Sequence, residues 1–375
     1  MLPVLEQIEL IRQKPIESMD YDITNRYCVK VNENNGAKTV YYFSTPIYYR
    51  NTGNIIDSKF HCVDKKIYFF GSNAKVTLSN AIKLENDDGS LRISLNQPAE
   101  FIDTGKAKNG ENFIYTTTNG IAYKVMCNND EPFSFEINVS KPFMKERYNN
   151  KYFALMKNKF EPFMTVSVIG LLNSNDEVIA PAKISYRKST DKRYILSVSP
   201  CNEESGYVML EINMYEHKLF QDTTVESNTP TINNAFGSIS FIGKTKEYGE
   251  QWLFSRPDFS ILSDLTGKKI HNANLYLPQF NKTESILSAH KVANRFCSFG
   301  SNWNNKVDIS NHINNSNVEN NYQKLDVSNL LANSNGELNK NEGFIIRTKI
   351  YNCGFVAIST GDNYYKPQIL EINYS

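Results

Sequence analysis

The fold of this chain is decided by the stretch 219–375, in which Ser238–Gly243 reads Ser-Ile-Ser-Phe-Ile-Gly. Polar and apolar residues alternate there with a period of two, as expected for a β-strand that buries one face. Similar strand-like runs follow at Gln251–Phe259, Ile270–Leu277 and Gly343–Arg347, with polar or glycine-containing segments between them. Strands without intervening helical patterns favour a sandwich or barrel over alternating strand–helix units.

The order of motifs in this stretch resembles the DNRLRE domain family, which is related to the repeat of archaeal disaggregatases. The motifs are, in order, Leu219–Ser227, Asn233–Gly237, Ser238–Gly243, Gln251–Phe259, Ile270–Leu277, Trp303, Leu325–Leu330, Gly343–Arg347, Val356–Thr360 and Lys366–Tyr374. They cover about two-fifths of the chain. The resemblance implies a jelly-roll β-sandwich similar to carbohydrate-binding modules, a domain found on surface proteins, wall-associated proteins and some phage products.

The remainder of the chain has the same β texture. Strand-like runs such as Thr39–Phe43, Lys66–Phe70 and Phe133–Val139 alternate with turn signals rich in Asn, Asp and Gly. We therefore predict an all-β fold of several β-sandwiches, ending in a jelly roll. The predicted domains are a β-rich docking domain (1–130), a small immunoglobulin-like sandwich (131–218) and the DNRLRE-like domain (219–375).

Two segments are harder to assign. Tyr148–Lys159 fits either a helical crossing or a strand. Asn302–Tyr322 is dominated by Asn and has few apolar residues, so it is predicted to be a long loop that caps one end of the last sandwich.

Composition excludes several classes of partner. The 41 basic and 40 acidic residues give a net charge of +1, which argues against a nucleic-acid-binding or anionic-membrane-binding protein. The first residues lack a basic segment followed by an apolar run, so no secretory signal is expected, and no apolar stretch is long enough to span a membrane. Six scattered cysteines without a Cys-x-x-Cys pair indicate reduced thiols and folding in the cytoplasm.

Motifs for catalysis are not recognisable in the sequence. Gly237–Thr245 mimics a phosphate-binding loop, but five residues separate its glycines and they alternate as a strand. The five histidines have no metal-ligand spacing, and the chain has no Gly-x-Ser-x-Gly motif. Paired carboxylates such as Asp87 and Asp88 lie in a polar turn, where a carboxyl group makes a poor general acid. The protein is therefore predicted not to be an enzyme.

Ligand capture by aromatic stacking is the chemistry that the sequence favours. Trp303, Tyr364 and Tyr365 lie in polar loops and are the predicted carbohydrate-binding residues, because an aromatic ring packs on the apolar face of a sugar. The alternative for Trp303 is a structural role at the end of the sandwich. Trp252 lies in an apolar strand and is predicted to belong to the core.

No cofactor is predicted, apart from the structural Ca²⁺ that jelly-roll modules of this type often carry. Asp222 is the one residue nominated for such an ion, and a strand-end hydrogen bond is its alternative role.

These observations lead to three hypotheses. The first is a non-catalytic adhesion protein of a phage or phage-tail-like particle, which binds cell-wall or cell-surface polysaccharide and other virion or tail proteins. A particle released by lysis needs no secretory signal. The second is a purely structural virion or tail component, a homo-oligomer among the options. The third is a polysaccharide-active enzyme in which the last domain is an accessory module.

Overall fold

The computed structural model describes residues 3–16, 18–20, 25–33, 37–50, 52–57, 59–128, 131–202, 204–348 and 354–375. Nearly all regular structure in these residues is β, which confirms the predicted fold class. The strands form four antiparallel sheets that pack as β-sandwiches.

The elements fall into three groups along the chain. The first group is α1 (Val4–Arg12), β1 (Met19–Asp20), β2 (Cys28–Asn32) and β3 (Lys38–Phe43). The second group is β4 (His61–Val63), β5 (Lys66–Phe70), β6 (Lys75–Leu78), β7 (Ala81–Asn86), β8 (Gly89–Ser94), β9 (Glu100–Asp103), β10 (Lys106–Asn109), β11 (Asn112–Thr116), β12 (Gly120–Cys127), β13 (Phe133–Val139), β14 (Lys145–Asn149), β15 (Tyr152–Met156), β16 (Pro162–Leu172), β17 (Val178–Ala180), β18 (Ala182–Thr190), β19 (Arg193–Pro200) and β20 (Gly206–Met214). The third group is β21 (Phe220–Glu226), β22 (Ile239–Thr245), β23 (Gly249–Pro257), β24 (Ile270–Pro278), β25 (Leu287–Val292), β26 (Ile309–Asn315), β27 (Asn317–Glu319), β28 (Tyr322–Asp326), α2 (Ser328–Leu331), β29 (Phe344–Thr348), β30 (Gly354–Ser359) and β31 (Ile369–Tyr374), with 3₁₀ turns at Ser263–Leu265 and Trp303–Asn305.

The second group forms the first sandwich. Sheet I has the strand order β18-β19-β13-β8-β7-β6-β5-β4, and sheet II has the order β14-β15-β16-β20-β12-β11-β10-β9, with β17 paired to β16. Alternate residues of both sheets point inward and build one apolar core, which includes Ile93, Phe153 and Leu210. This core is the direct outcome of the period-two pattern in the sequence.

The third group forms the second sandwich together with the first group. Sheet III has the order β26-β25-β29-β23-β22-β30, with β21 paired to β23, and sheet IV has the order β1-β2-β3-β31-β24-β28-β27. Their shared core includes Leu253 from sheet III and Leu370 from sheet IV. The outer face of sheet IV is covered by α1, whose Val4, Ile8 and Ile11 are buried against it.

Strand pairing groups the chain differently from the three predicted domains. Strand β3 pairs with β31, from Lys38↔Tyr374 to Phe43↔Ile369, so the N-terminal strands complete the C-terminal sandwich. Strand β13 pairs with β8, so a boundary near residue 130 would run through sheet I. Contacts between strands far apart in sequence leave no local signal, and for this reason the boundaries were placed by composition alone.

The two sandwiches also pack on each other, through the outer faces of sheets II and III. Ile169 and Met209 of sheet II meet Ile239, Phe241 and Ala357 of sheet III. The layers therefore follow the order I, II, III, IV and α1. Jelly-roll connectivity within the second sandwich stays a prediction.

Local predictions fared well for strands and less well for loops. Tyr148–Lys159 is extended, because β14 and β15 form a hairpin. The prediction of one long loop at Asn302–Tyr322 was wrong, since the segment contains a 3₁₀ turn, β26 and β27. Polar side chains hid these strands, because both lie at edges of their sheets and bury little.

Two further expectations concern helices and thiols. None of the helices among the described residues is long and apolar enough to cross a membrane. Cys28, Cys62, Cys127, Cys201 and Cys297 are free thiols, and Cys353 lies outside the described residues.

Candidate functional site

Tyr364 does not have the exposure that was predicted for it. Its side chain is 1% exposed, and its hydroxyl donates to the Glu216 carbonyl (3.2 Å) and accepts from the Glu216 N–H (3.1 Å). The prediction is corrected: this ring joins the two sandwiches, and its buried faces are closed to a sugar.

Tyr365 remains half-buried. Its N–H donates to Glu211 Oε1 (3.3 Å), and its ring packs near Tyr115, with 6.0 Å between the ring centroids. The residue lines a cavity of about 310 Å³ together with Tyr322 and Asn320. The ring therefore has some access to a ligand, but it lies apart from the other predicted residues.

Asp222 takes part in an ionic cluster that is buried between the sandwiches. It accepts a hydrogen bond from the Gly361 N–H and lies beside Asp362, which is paired with the Lys218 ammonium. Burial raises the pKa of Asp222 well above its usual range, and the neighbouring Asp362 adds to this effect.

This environment does not fit Ca²⁺, which prefers six to eight oxygen ligands. The Lys218 ammonium supplies the positive charge at Asp222 and Asp362. Across the described ranges, no group of three or more His, Cys, Asp or Glu side chains is placed to hold a metal ion. The structure thus gives Asp222 the alternative, hydrogen-bonding role.

Trp303 lies on the outer face of sheet III, and its loop is tightly organised. The Asn302 side chain accepts from the N–H groups of Asn304 (3.0 Å) and Asn305 (3.3 Å), and the Asn305 side chain accepts from the Asn302 N–H (2.7 Å). This reciprocal cap fixes the 3₁₀ turn that begins with Trp303. The indole is half-buried and its position is set by the backbone beneath it.

Trp252 is the partner of Trp303. It was predicted to belong to the core, and it is partly buried against a small apolar cluster that includes Val225 and Phe254, outside the core between sheets III and IV. Leu253 points into the core between sheets III and IV, so the neighbouring Trp252 points to the opposite face of β23. The two indole rings meet with 5.1 Å between centroids and an angle of 53° between planes.

Charged groups surround the indole pair. The Lys306 ammonium lies 4.0 Å from the Trp303 ring centroid and 5.3 Å from that of Trp252. The Arg347 guanidinium lies 5.9 Å from the Trp252 centroid, and the Trp252 Nε1–H donates to Glu250 Oε1 (2.7 Å). We call Trp252, Trp303, Lys306, Arg347 and Glu250 the tryptophan surface.

No protein-family model and no curated protein matches the sequence. The resemblance to the DNRLRE family stays a prediction, and the properties of the site follow from its geometry alone.

A separate cavity of about 650 Å³ lies beside the end of α1 and has a polar lining that includes Glu33, Arg12 and Glu371. The Arg12 guanidinium binds Glu33 Oε1 (2.7 Å) and holds the pKa of Glu33 down to about 2. Glu371 accepts from the hydroxyls of Tyr41 (3.0 Å) and Tyr276 (3.2 Å). A glycosidase acid needs a raised pKa, so Glu33 is unsuited to that role.

Proposed function

We propose that this protein is a non-catalytic binding protein that recognises a polysaccharide through the tryptophan surface. One observation carries the proposal: the two tryptophans of the sequence are 51 positions apart, yet their rings are in contact and stay partly exposed. Large aromatic side chains that stay partly exposed side by side are typical of binding surfaces.

The chemistry of the surface suits a sugar chain. An indole face packs against the C–H groups of a sugar ring. The Glu250 carboxylate and the amides of the Asn302–Asn305 turn are the polar groups beside the rings that can form hydrogen bonds with the sugar hydroxyls. Because the capped turn holds Trp303 in place, little conformational entropy is lost when a ligand binds.

The resemblance to surface and phage modules supports a cell-wall or cell-surface polysaccharide as the ligand and a virion or phage-tail-like particle as the setting. In such a particle, other virion or tail proteins would contact the remaining faces of the molecule. The second sandwich includes the N-terminal strand β3, which pairs with β31, so the chain should be tested whole and not as an isolated 219–375 fragment.

The test is retention of the full chain on bacterial cell walls and on purified wall polysaccharides. Trp303→Ala should abolish retention, whereas Phe70→Ala, which removes an exposed aromatic ring from sheet I, should leave it unchanged. Failure of the wild-type chain to bind any wall fraction or virion component would refute the proposal.

A second candidate is the purely structural component, and a specific observation favours it. Strands β4 and β9 are edges of sheets I and II, and Val63, Phe101 and Ile102 on them are exposed (53%, 38% and 42%). Exposed apolar edges favour pairing with another chain. Light scattering at micromolar concentration distinguishes the candidates: a monomer argues against this one, and an oligomer dispersed by Val63→Lys supports it.

A further inference from the structure

The tryptophan surface carries an excess of positive charge close to its rings. Lys306 is fixed over both indoles, and its ammonium also donates to the Trp303 carbonyl (3.0 Å). Within the described part of the chain, no carboxylate lies within 4.0 Å of this ammonium. Glu250 is engaged by the indole N–H of Trp252. The cation at the centre of the surface is therefore available to an anionic group of a ligand.

Arg347 extends the positive surface beyond Trp252, and its orientation is set by a histidine. The Arg347 Nε–H donates to His290 Nε2 (3.3 Å), so this imidazole nitrogen acts as an acceptor. Burial, together with Arg347 and His312, lowers the pKa of His290 to about 4, which keeps the ring neutral near pH 7. His290 is a positioning residue that aligns Arg347, and the His312 ring packs against it with 5.1 Å between centroids.

We infer that the polysaccharide bound at the tryptophan surface is acidic and carries carboxylate or phosphate groups along its chain. This inference rests on the proposed function and names the ligand class of the same site. The indoles pack on the sugar rings, and Lys306 and Arg347 bind the anionic groups between them. A neutral chain would leave the Lys306 ammonium facing hydroxyls and would gain less from it.

The experiment compares polymers that differ in charge and share a backbone. Polygalacturonate supplies carboxylates, its fully methyl-esterified form removes them, and a phosphate-linked sugar polymer supplies the other anion. Binding of the full chain to polygalacturonate or to the phosphate polymer should exceed binding to the ester at least tenfold. It should weaken as the salt concentration rises, because salt screens exposed charges.

Two variants test the cations individually. Lys306→Met keeps an aliphatic stem over the indole and removes the charge, and Arg347→Gln keeps a hydrogen-bond donor and removes the charge. Each should weaken binding to the acidic polymer about tenfold and leave the weak binding to the ester unchanged. Unfolding midpoints equal to the wild-type value confirm that the fold is intact.

The outcomes separate this inference from the proposed function. Equal binding to the acid and its ester, with no effect of salt, overturns the inference while the proposed function stands. Loss of all polysaccharide binding, including that to cell walls, overturns both. Binding to the phosphate polymer alone supports the inference and assigns phosphate as the anionic group.

Discussion

The two sandwich cores and the layer between sheets II and III are built from different residues. Both cores are lined by apolar side chains, whereas the layer between the sandwiches buries ion pairs in addition to apolar contacts. Lys151 pairs with Glu226 and Lys218 pairs with Asp362, with every one of these side chains at most 8% exposed. Apolar cores tolerate many arrangements of similar volume, but a buried ion pair is satisfied by one geometry.

The polar groups buried between sheets II and III indicate what fixes the orientation of one sandwich relative to the other. Glu211 of sheet II accepts from the N–H groups of Tyr364 (3.1 Å) and Tyr365 (3.3 Å), and the Ser238 N–H donates to Ser167 Oγ (2.8 Å). These bonds tie sheet II directly to the second sandwich. Their directionality specifies orientation, while burial of apolar surface supplies stability.

The largest effect is expected from a core substitution. Phe153 is fully buried in the first sandwich, with ring centroids 4.8 Å from Tyr186 and 5.5 Å from Tyr194. Phe153→Ala should lower the free energy of unfolding by about 4 kcal/mol, because it leaves a cavity among fixed neighbours. Urea denaturation measures this, with the exposed Phe101→Ala as the control, which should change by less than about 0.5 kcal/mol.

Substitutions in the ion pair between the sandwiches should change stability by an amount that depends on whether one charge or both are removed. Lys151→Met leaves the Glu226 carboxylate buried without its cation and should cost about 3 kcal/mol. The double variant Lys151→Met with Glu226→Leu removes both charges and should recover most of that loss. Equal destabilisation by the single and double variants would show that apolar packing alone sets this layer.

The pH dependence of stability should also reside in this layer. Burial raises the pKa of Glu211 to about 8, so the folded state keeps the proton that the unfolded chain releases near its usual pKa of 4.5. A raised carboxyl pKa means that stability is greatest below about pH 4.5 and falls by roughly 1.4 kcal/mol per pH unit up to about pH 8. Glu211→Gln cannot titrate, so its unfolding free energy should fall less steeply between pH 5 and pH 8. Parallel curves for variant and wild type would contradict this assignment.

The smallest effect concerns the indole pair. A double-mutant cycle of Trp252→Ala and Trp303→Ala should give a coupling free energy of about 1 kcal/mol, which is typical of one contact between two partly exposed aromatic rings. A coupling of several kcal/mol would make the pair a structural clamp, which was the alternative role of Trp303. Circular dichroism and urea denaturation on the four proteins measure it.

Prediction from the sequence succeeded where the signal was local. The alternation in Phe133–Val139 and Thr39–Phe43 identified β13 and β3 to within one residue. It could not identify the partner of β3, because that contact joins residues more than 320 positions apart. Trp303 was singled out because it lies in a polar loop, whereas Trp252 was assigned to the core because the apolar residues Leu253 and Phe254 follow it. In the sequence, Lys151 and Glu226 look like ordinary surface residues, and only the packing of the sheets shows that they are buried.

The pairing of β3 with β31 has a consequence for the order of folding. Residues 59–217, which contain the first sandwich, lie between the two parts of sheet IV. This sandwich can therefore fold during synthesis before β3 has its partner strand β31. The middle of sheet IV closes only after residues 369–374 have been made, because β31 lies between β3 and β24. Sheet IV therefore stays open on the ribosome until β31 has been synthesised.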